Sequence, residues 1–228
     1  MREIVVDTET TGLDPADGHR IIEIGCVELL DHVPTGLTLQ RYLNPEREVP
    51  AEALRIHGIN DHFLSSMPLF SAIADELLDF FGDAALVMHN AGFDLKFVNA
   101  ELLRLARPLI PSGRTIDTIE IAKAKIPGAR YSLDELCRRF GIDLACRTKH
   151  GALLDAQLTA RVYLELVGGR QTRLRLAPGD STRIVSEIRI AALQRAEPLP
   201  SRISAAELEA HAVFVAAELG SDAVWTWQ

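Results

Sequence analysis

The order in which strand-forming and helix-forming stretches follow one another constrains this chain more than any other feature. Residues 3–6 (EIVV), 21–30 (IIEIGCVELL) and 37–43 (LTLQRYL) are apolar and β-prone, and turn-forming stretches at Gly12-Leu13-Asp14-Pro15 and Pro34-Thr35-Gly36 separate them. From residue 51 onward the pattern changes to alternating helix and strand. A short helix is expected over 51–56 and a longer one over 68–81, with Pro68 in its first turn. A buried strand follows over 84–88 (AALVM), then a helix over 93–105 that stops before Pro108. Residues 114–117 read as a short edge strand leading into a helix through Ala124. Ser132-Leu133-Asp134-Glu135 has the pattern of a capping box opening a helix to Phe140, and a last helix over 152–167 stops at Gly168-Gly169. Three consecutive strands followed by βα units predict an α/β domain over residues 1–170, a mixed sheet flanked by helices.

The remainder differs in kind. Between Gln171 and Arg195 there are five Arg against one Asp and one Glu, and Pro178-Gly179, Pro198 and Pro200 break up the stretch, so 171–203 reads as a linker. Residues 204–228 read as a helical tail. Ser204-Ala205-Ala206-Glu207 is a second capping box, followed by an apolar stripe of Leu208, Ala212, Val215 and Leu219, then Gly220, Val224, Trp225 and Trp227. So short a segment builds a poor core alone, and an apolar stripe with two tryptophans suits an interface. Packing back on the domain is the competing reading.

The chain has 228 residues and a formal net charge of −8, which argues against a protein that grips duplex nucleic acid by its own field, since that mode needs a basic face. An acidic protein still engages phosphates where metal ions hold them. No apolar run approaches the ~18 residues that span a bilayer, and MREIVVDTET lacks the apolar core of a signal peptide, so a cytoplasmic protein with no membrane contact is expected. Cys26, Cys137 and Cys146 are odd in number and lack CxxC spacing, which leaves neither a disulfide framework nor a zinc site.

Chemistry concentrates in three places. Asp7 and Glu9 stand at positions i and i+2 of the first strand signal, so both carboxylates point to one face while Thr8 points to the other. The Thr10-Thr11-Gly12 turn after them offers backbone N–H groups to a phosphate or a terminal hydroxyl. Asp94, in HNAGFD at 89–94, falls in the first turn of a helix just past a strand. Asp155, in HGALLD at 150–155, lies on the last helix among leucines, where burial calls for a compensating charge, and metal is the expected compensator. His150 is five residues earlier, a poor spacing for one helical face, so it is expected on a mobile lead-in that swings over the site. Four carboxylates and one histidine suit two-metal phosphodiester hydrolysis, with Mg²⁺ or Mn²⁺ about 3.5 to 4 Å apart and His150 as the base. His19, His32, His62 and His211 read as surface or satisfied side chains, and His57 as intermediate.

The set DTETTGL at 7–13, HNAGFD at 89–94 and HGALLD at 150–155 resembles the three exonuclease motifs of the DEDDh 3′→5′ exonuclease family, in matching order over about 150 residues. The resemblance implies a ribonuclease H-like fold, two divalent ions on Asp7, Glu9, Asp94 and Asp155, and His150 as general base. It further implies that Asp7, Glu9, Glu52, His57 and Asp155 contact the substrate's terminal nucleotide. Within the family the chain looks most like the epsilon branch, whose members proofread for bacterial DNA polymerase III. That likeness implies a single-stranded DNA 3′ end as substrate and the polymerase alpha subunit as partner of the 204–228 tail, and leaves room for a small third core subunit. Gln171, Leu174 and Leu176 resemble a sliding-clamp binding peptide with Leu176 in place of the usual aromatic, which implies weak clamp affinity. The rival readings are a DEDDh exonuclease acting on RNA or short oligonucleotides, and a non-catalytic scaffold.

Overall fold

The computed structural model describes residues 1–145, 147, 149–168 and 203–219. Five strands form one mixed sheet: β1 (Arg2–Thr10), β2 (Ile21–Leu30), β3 (Val33–Tyr42), β4 (Ala85–Met88) and β5 (Thr115–Asp117), in the order β3-β2-β1-β4-β5. The first three pair antiparallel as a meander, and β4 and β5 add parallel on the other side of β1. β1 is therefore central, and both its faces are covered. Ile4 and Val6 point into a large core with Ile24, Cys26 and Met88, sealed by α3 (Phe70–Phe81) and α4 (Ala91–Arg104). Val5 points the opposite way, into a core with Val27, Leu29 and Val87 under Ala156, Ala160 and Tyr163 of α7 (Ala152–Val167). Sealing on both sides explains why Ile4, Val5 and Val6 are all apolar rather than alternating. The shorter helices are α1 (Ala51–His57), α2 (Asp61–Leu64), α5 (Thr118–Lys125) and α6 (Leu133–Phe140).

The ribonuclease H-like arrangement and the edge position of the fifth strand match the sequence reading, and several boundaries do not. β1 runs on to Thr10, so the whole DTET stretch is strand, held in register by Asp7↔Gly25 and Glu9↔Glu23. The hairpin between β2 and β3 turns at Asp31-His32, both with positive φ (50° and 69°), instead of at Pro34-Thr35-Gly36. Pro34 sits inside β3, tolerated because β3 is the edge strand. Pro68 lies outside its helix: its carbonyl accepts the Asn44 N–H (2.9 Å), and extended Leu69 is the N-cap of α3. At α6 the expected capping box does not close. Ser132 makes no side-chain cap bond, Glu135 pairs with Arg138 (2.6 Å), and Asp134 is taken by Arg147.

By its contacts the chain divides into two compact units, Met1–Leu174 and Arg175–Gln228. In the second, α8 (Ala205–Phe214) opens on a complete capping box of Ser204 and Glu207 and continues as a π-helical turn over Val215–Leu219. Leu208, Val213 and Phe214 are exposed on it. Among the described residues no helix is long and apolar enough to cross a membrane. Gln171, Leu174 and Leu176, the linker and both tryptophans lie outside the described residues, as does Cys146; Cys26 and Cys137 are buried and free.

Candidate active site

Alternation along β1 places Asp7 and Glu9 on the face that α7 covers. Glu9 is buried, 8% exposed, and Asp7 half-buried. Asp94 reaches the site from the first turn of α4, across the opposite face of the strand. Thr8, which alternation points away from its neighbours, holds it there: Thr8 Oγ1 donates to Asp94 Oδ1 at 2.7 Å.

The fourth acid depends on where α7 begins. Its N-cap, Gly151, is extended (φ −157°, ψ 128°) and has no side chain to satisfy the first turn. Glu23 of β2 supplies the missing acceptor, taking the Ala152 N–H on Oε2 at 3.1 Å while Gln40 Nε2 donates to Oε1 at 2.7 Å. Gly25, two residues on, lets the Ala152 backbone press against β2, since a Cβ there would overlap it. The helix start is thereby fixed, and Asp155 sits 3% exposed in its first turn. The extended Gly151 also turns His150 back, so its Nδ1 comes within 3.3 Å of Asp155 Oδ2 despite the five-residue spacing. Ligand atoms of Glu9, His150 and Asp155 all lie within 4.8 Å of one another. Asp7 and Asp94 stand outside that tight trio but act on it electrostatically.

Arg147, absent from the sequence reading, is the first cation of this site. Its Nε and Nη2 grip Asp155 Oδ1 and Oδ2 at 2.7 and 2.6 Å, its Nη1 reaches Asp134, and Nη2 is 3.0 Å from His150 Nδ1. A bidentate guanidinium thus compensates the burial of Asp155, which also belongs to the group of ligand atoms that could hold an ion. Of the Thr-Thr-Gly turn, the Thr11 N–H is taken: it donates to the Arg20 carbonyl (2.9 Å).

Charge is distributed unevenly. Burial, followed by Asp94, Asp155 and Glu9, pushes the Asp7 carboxyl well up. Burial raises Glu9 to about 8 against the pull of His150, and raises Asp94 to about 7 against the Thr8 hydrogen bond. For Asp155 burial also acts upward, but Arg147 and His150 hold it below the usual carboxylate value. The Asp155 contact raises His150. Asp7, Glu9 and Asp94, all pushed upward by burial, are a hard-oxygen donor set that fits a divalent ion such as Mg²⁺ or Mn²⁺.

A cavity of about 480 Å³ opens beside this cluster, lined by Thr8, Glu9, Gly12 and Phe93 on one side and by Glu52, Ile56 and His57 on the other. Its size falls in the range of small-molecule sites. His57 is buried; its Nδ1 accepts the Ile59 N–H (3.0 Å), and its Nε2 has no partner among the described residues. Glu52 is exposed on the same helix. Elsewhere, His19 Nδ1 meets Thr11 Oγ1 (3.1 Å) and His32 contacts Glu3 (2.8 Å), while His62 is exposed.

Residues 4–163 match the model of the Exonuclease family, RNase_T. The chain belongs to that family. It is 49% identical to the DNA polymerase III subunit epsilon of Rickettsia conorii over 82% of both chains, and 43% identical to that of Salmonella typhimurium over 92% of this chain and 90% of the relative. The Escherichia coli epsilon subunit is 43% identical over 85% and 83%. Among solved structures, the nuclease domain of 3′hExo, a DEDDh family member bound to rAMP, superposes with a TM-score of 0.63 at 21% identity, covering 73% of this chain and 91% of that one. At that identity the likeness shows the fold, which is the ribonuclease H-like one the strand order describes. The family is dependent on divalent metal.

Thr8, Glu23 and Arg147 are the site residues that sequence reasoning missed. Glu23 did leave a signal, a charged residue inside the otherwise apolar IIEIGCV. Thr8 left none, because its partner is 86 positions away.

Proposed function

We propose that this chain is the 3′→5′ proofreading exonuclease of a bacterial DNA polymerase III, removing mispaired nucleotides from a frayed single-stranded DNA 3′ end. The observation that carries this reading is the convergence of Glu9, His150 and Asp155 beside a cavity that Glu9 also lines. The likeness to epsilon subunits over most of their length supports the polymerase context.

In this reading the terminal nucleotide enters the cavity against Glu52 and His57, whose unpartnered Nε2 is available to a polar group of the ligand. Asp7, Glu9, Asp94 and Asp155 hold two divalent ions, Mg²⁺ or Mn²⁺, which when bound stabilise charge at the scissile phosphate. Nδ1 of His150 faces Asp155, so Nε2 removes the proton from the attacking water. Water oxygen bonds to phosphorus as the P–O3′ bond breaks, the O3′ of the shortened strand takes up a proton to become a hydroxyl, and a nucleoside 5′-monophosphate is released. Residues 1–170 form the nuclease domain in this scheme. Residues 171–203 are a linker carrying the weak clamp-binding peptide, 204–228 dock on the alpha subunit, and a small third core subunit completes the complex, all in the cytoplasm. The exposed Leu208, Val213 and Phe214 of α8 support the docking role.

The test is release of 5′-monophosphates from a 3′-mismatched DNA primer and its RNA counterpart, with Mg²⁺, Mn²⁺ or EDTA. Wild type is expected to release them from DNA only with metal, and His150→Ala to lose about 10²–10⁴-fold in rate. Preference for RNA would move the chain to the RNA-trimming reading, and no release from either would favour the scaffold.

A further inference from the structure

The stretch between α6 and α7 carries His150 and is held on two sides. On the inner side Arg147 fastens it to Asp155 and Asp134. On the outer side it lies on α1. The His150 N–H donates to the Ile56 carbonyl at 3.4 Å, and the Lys149 side chain lies over Gly58, where a Cβ would come within 2.5 Å of Nζ and 2.7 Å of Cδ. Gly58 is the left-handed C-cap of α1 (φ 76°), so its missing side chain serves both the backbone turn and this approach. The Lys149 ammonium also sits at the carbonyl end of α1, where a cation is favoured. Its charge reaches His57, which burial first and then Lys149 and His150 push down.

α1 is at the same time a wall of the cavity, through Glu52, Ala53, Ile56 and His57. Ile56 therefore faces the cavity with its side chain and holds His150 with its carbonyl. The His150 ring is 47% exposed, and its polar contacts are with Asp155 and Arg147 through Nδ1. We propose that Lys149 and Gly58 are positioning residues that tie the His150 stretch to α1, so that a nucleotide seated against α1 sets the place of the base. The proposal rests on the exonuclease reading and adds to it a route by which a filled pocket readies the base. A base misplaced by about 1 Å costs up to 10²-fold, so a tie this light has kinetic weight.

The test compares wild type with Lys149→Ala, Lys149→Met and Gly58→Ala in the full chain, using DNA hydrolysis with Mn²⁺ and amide exchange with and without thymidine 5′-monophosphate. Lys149 is exposed, so its variants are expected to fold even where strain at Gly58 unfolds Gly58→Ala. Lys149→Ala is expected to lower kcat about tenfold with KM within about twofold. Lys149→Met, which keeps the stem, should recover most of kcat. In wild type the nucleotide slows exchange at both 51–58 and 147–151, and in Lys149→Ala it slows only 51–58. An unchanged kcat, a raised KM at constant kcat, failure of the Met variant to recover, or equal slowing of 147–151 in Lys149→Ala would each overturn the tie. A wild type that releases nothing from DNA sinks the exonuclease reading; an active wild type with unaffected variants sinks only the tie.

Discussion

Glu3 and Glu9 stand on the same face of β1, both buried against the α7 side, and they differ in everything around them. Glu3 is fully enclosed and receives donors from Tyr163 Oη (2.6 Å), the His32 backbone (3.2 Å) and His32 Nδ1 (2.8 Å). Glu9 has Asp155, Glu23 and Asp94 as neighbours and only His150 pulling the other way. One end of the strand buries a carboxylate and satisfies it with donors; the other buries Glu9 among further acids, with His150 pulling the other way. The two buried acids of one strand are thus told apart by their donors, since burial is common to both.

The contrast breaks most sharply in Glu9→Gln. Activity should fall by at least roughly 10²-fold, because several kcal/mol of charge stabilisation depend on bound metal. The metal-free protein at pH 8.5 should nevertheless melt no lower than wild type, and a lower melting temperature there would mean that Glu9 is structural after all. Tyr163→Phe should do the reverse. Removing a donor from buried Glu3 costs about 2 kcal/mol, or roughly 4–8 °C in Tm for a chain of this size, with nuclease rates at low temperature unchanged.

A smaller effect concerns pH. Glu9 (about 8) and Asp94 (about 7) have folded values raised above their ordinary 4.5 and 3.8. The stability they contribute as protonated groups is fully present below those ordinary values and is lost as pH rises toward 7–8. Divalent metal binds the deprotonated acids, so its stabilisation of the fold should grow over the same window. A tenfold weaker affinity at pH 6 than at pH 8.5 removes about 1.4 kcal/mol from the Mg²⁺-induced gain. Melting curves with Mg²⁺ or EDTA at the two pH values read this directly, and an Mg²⁺ gain independent of pH would remove Glu9 and Asp94 from the metal site.

Much of this was legible in the chain because its rules are local. Two acids at i and i+2 of a strand share a face whatever the fold, and an Asp three residues past Ala91 sits in a first helical turn. The Ser204 box formed as read, with the Ser204 side chain accepting the Glu207 N–H and the Glu207 carboxylate accepting the Ser204 N–H. The Ser132 box did not, because Arg138 takes Glu135 and Arg147, 13 positions from Asp134, takes that carboxylate. Arg147 carries no such local signal, since its bond to Asp155 exists only once α7 has docked. Hydrogen bonds between distant positions, Thr8 to Asp94 above all, lie beyond any periodicity argument.

That docking has a consequence for how the protein is made. The start of α7 is set by Glu23, 129 positions earlier in the chain, so the strand that carries the first two acids must wait for α7 before the trio can close. Translation at about 5–20 residues per second puts on the order of ten seconds between the two. A nascent chain holds Asp7 and Glu9 throughout that interval without His150 and Asp155, so the group of acids assembles only in the last part of synthesis.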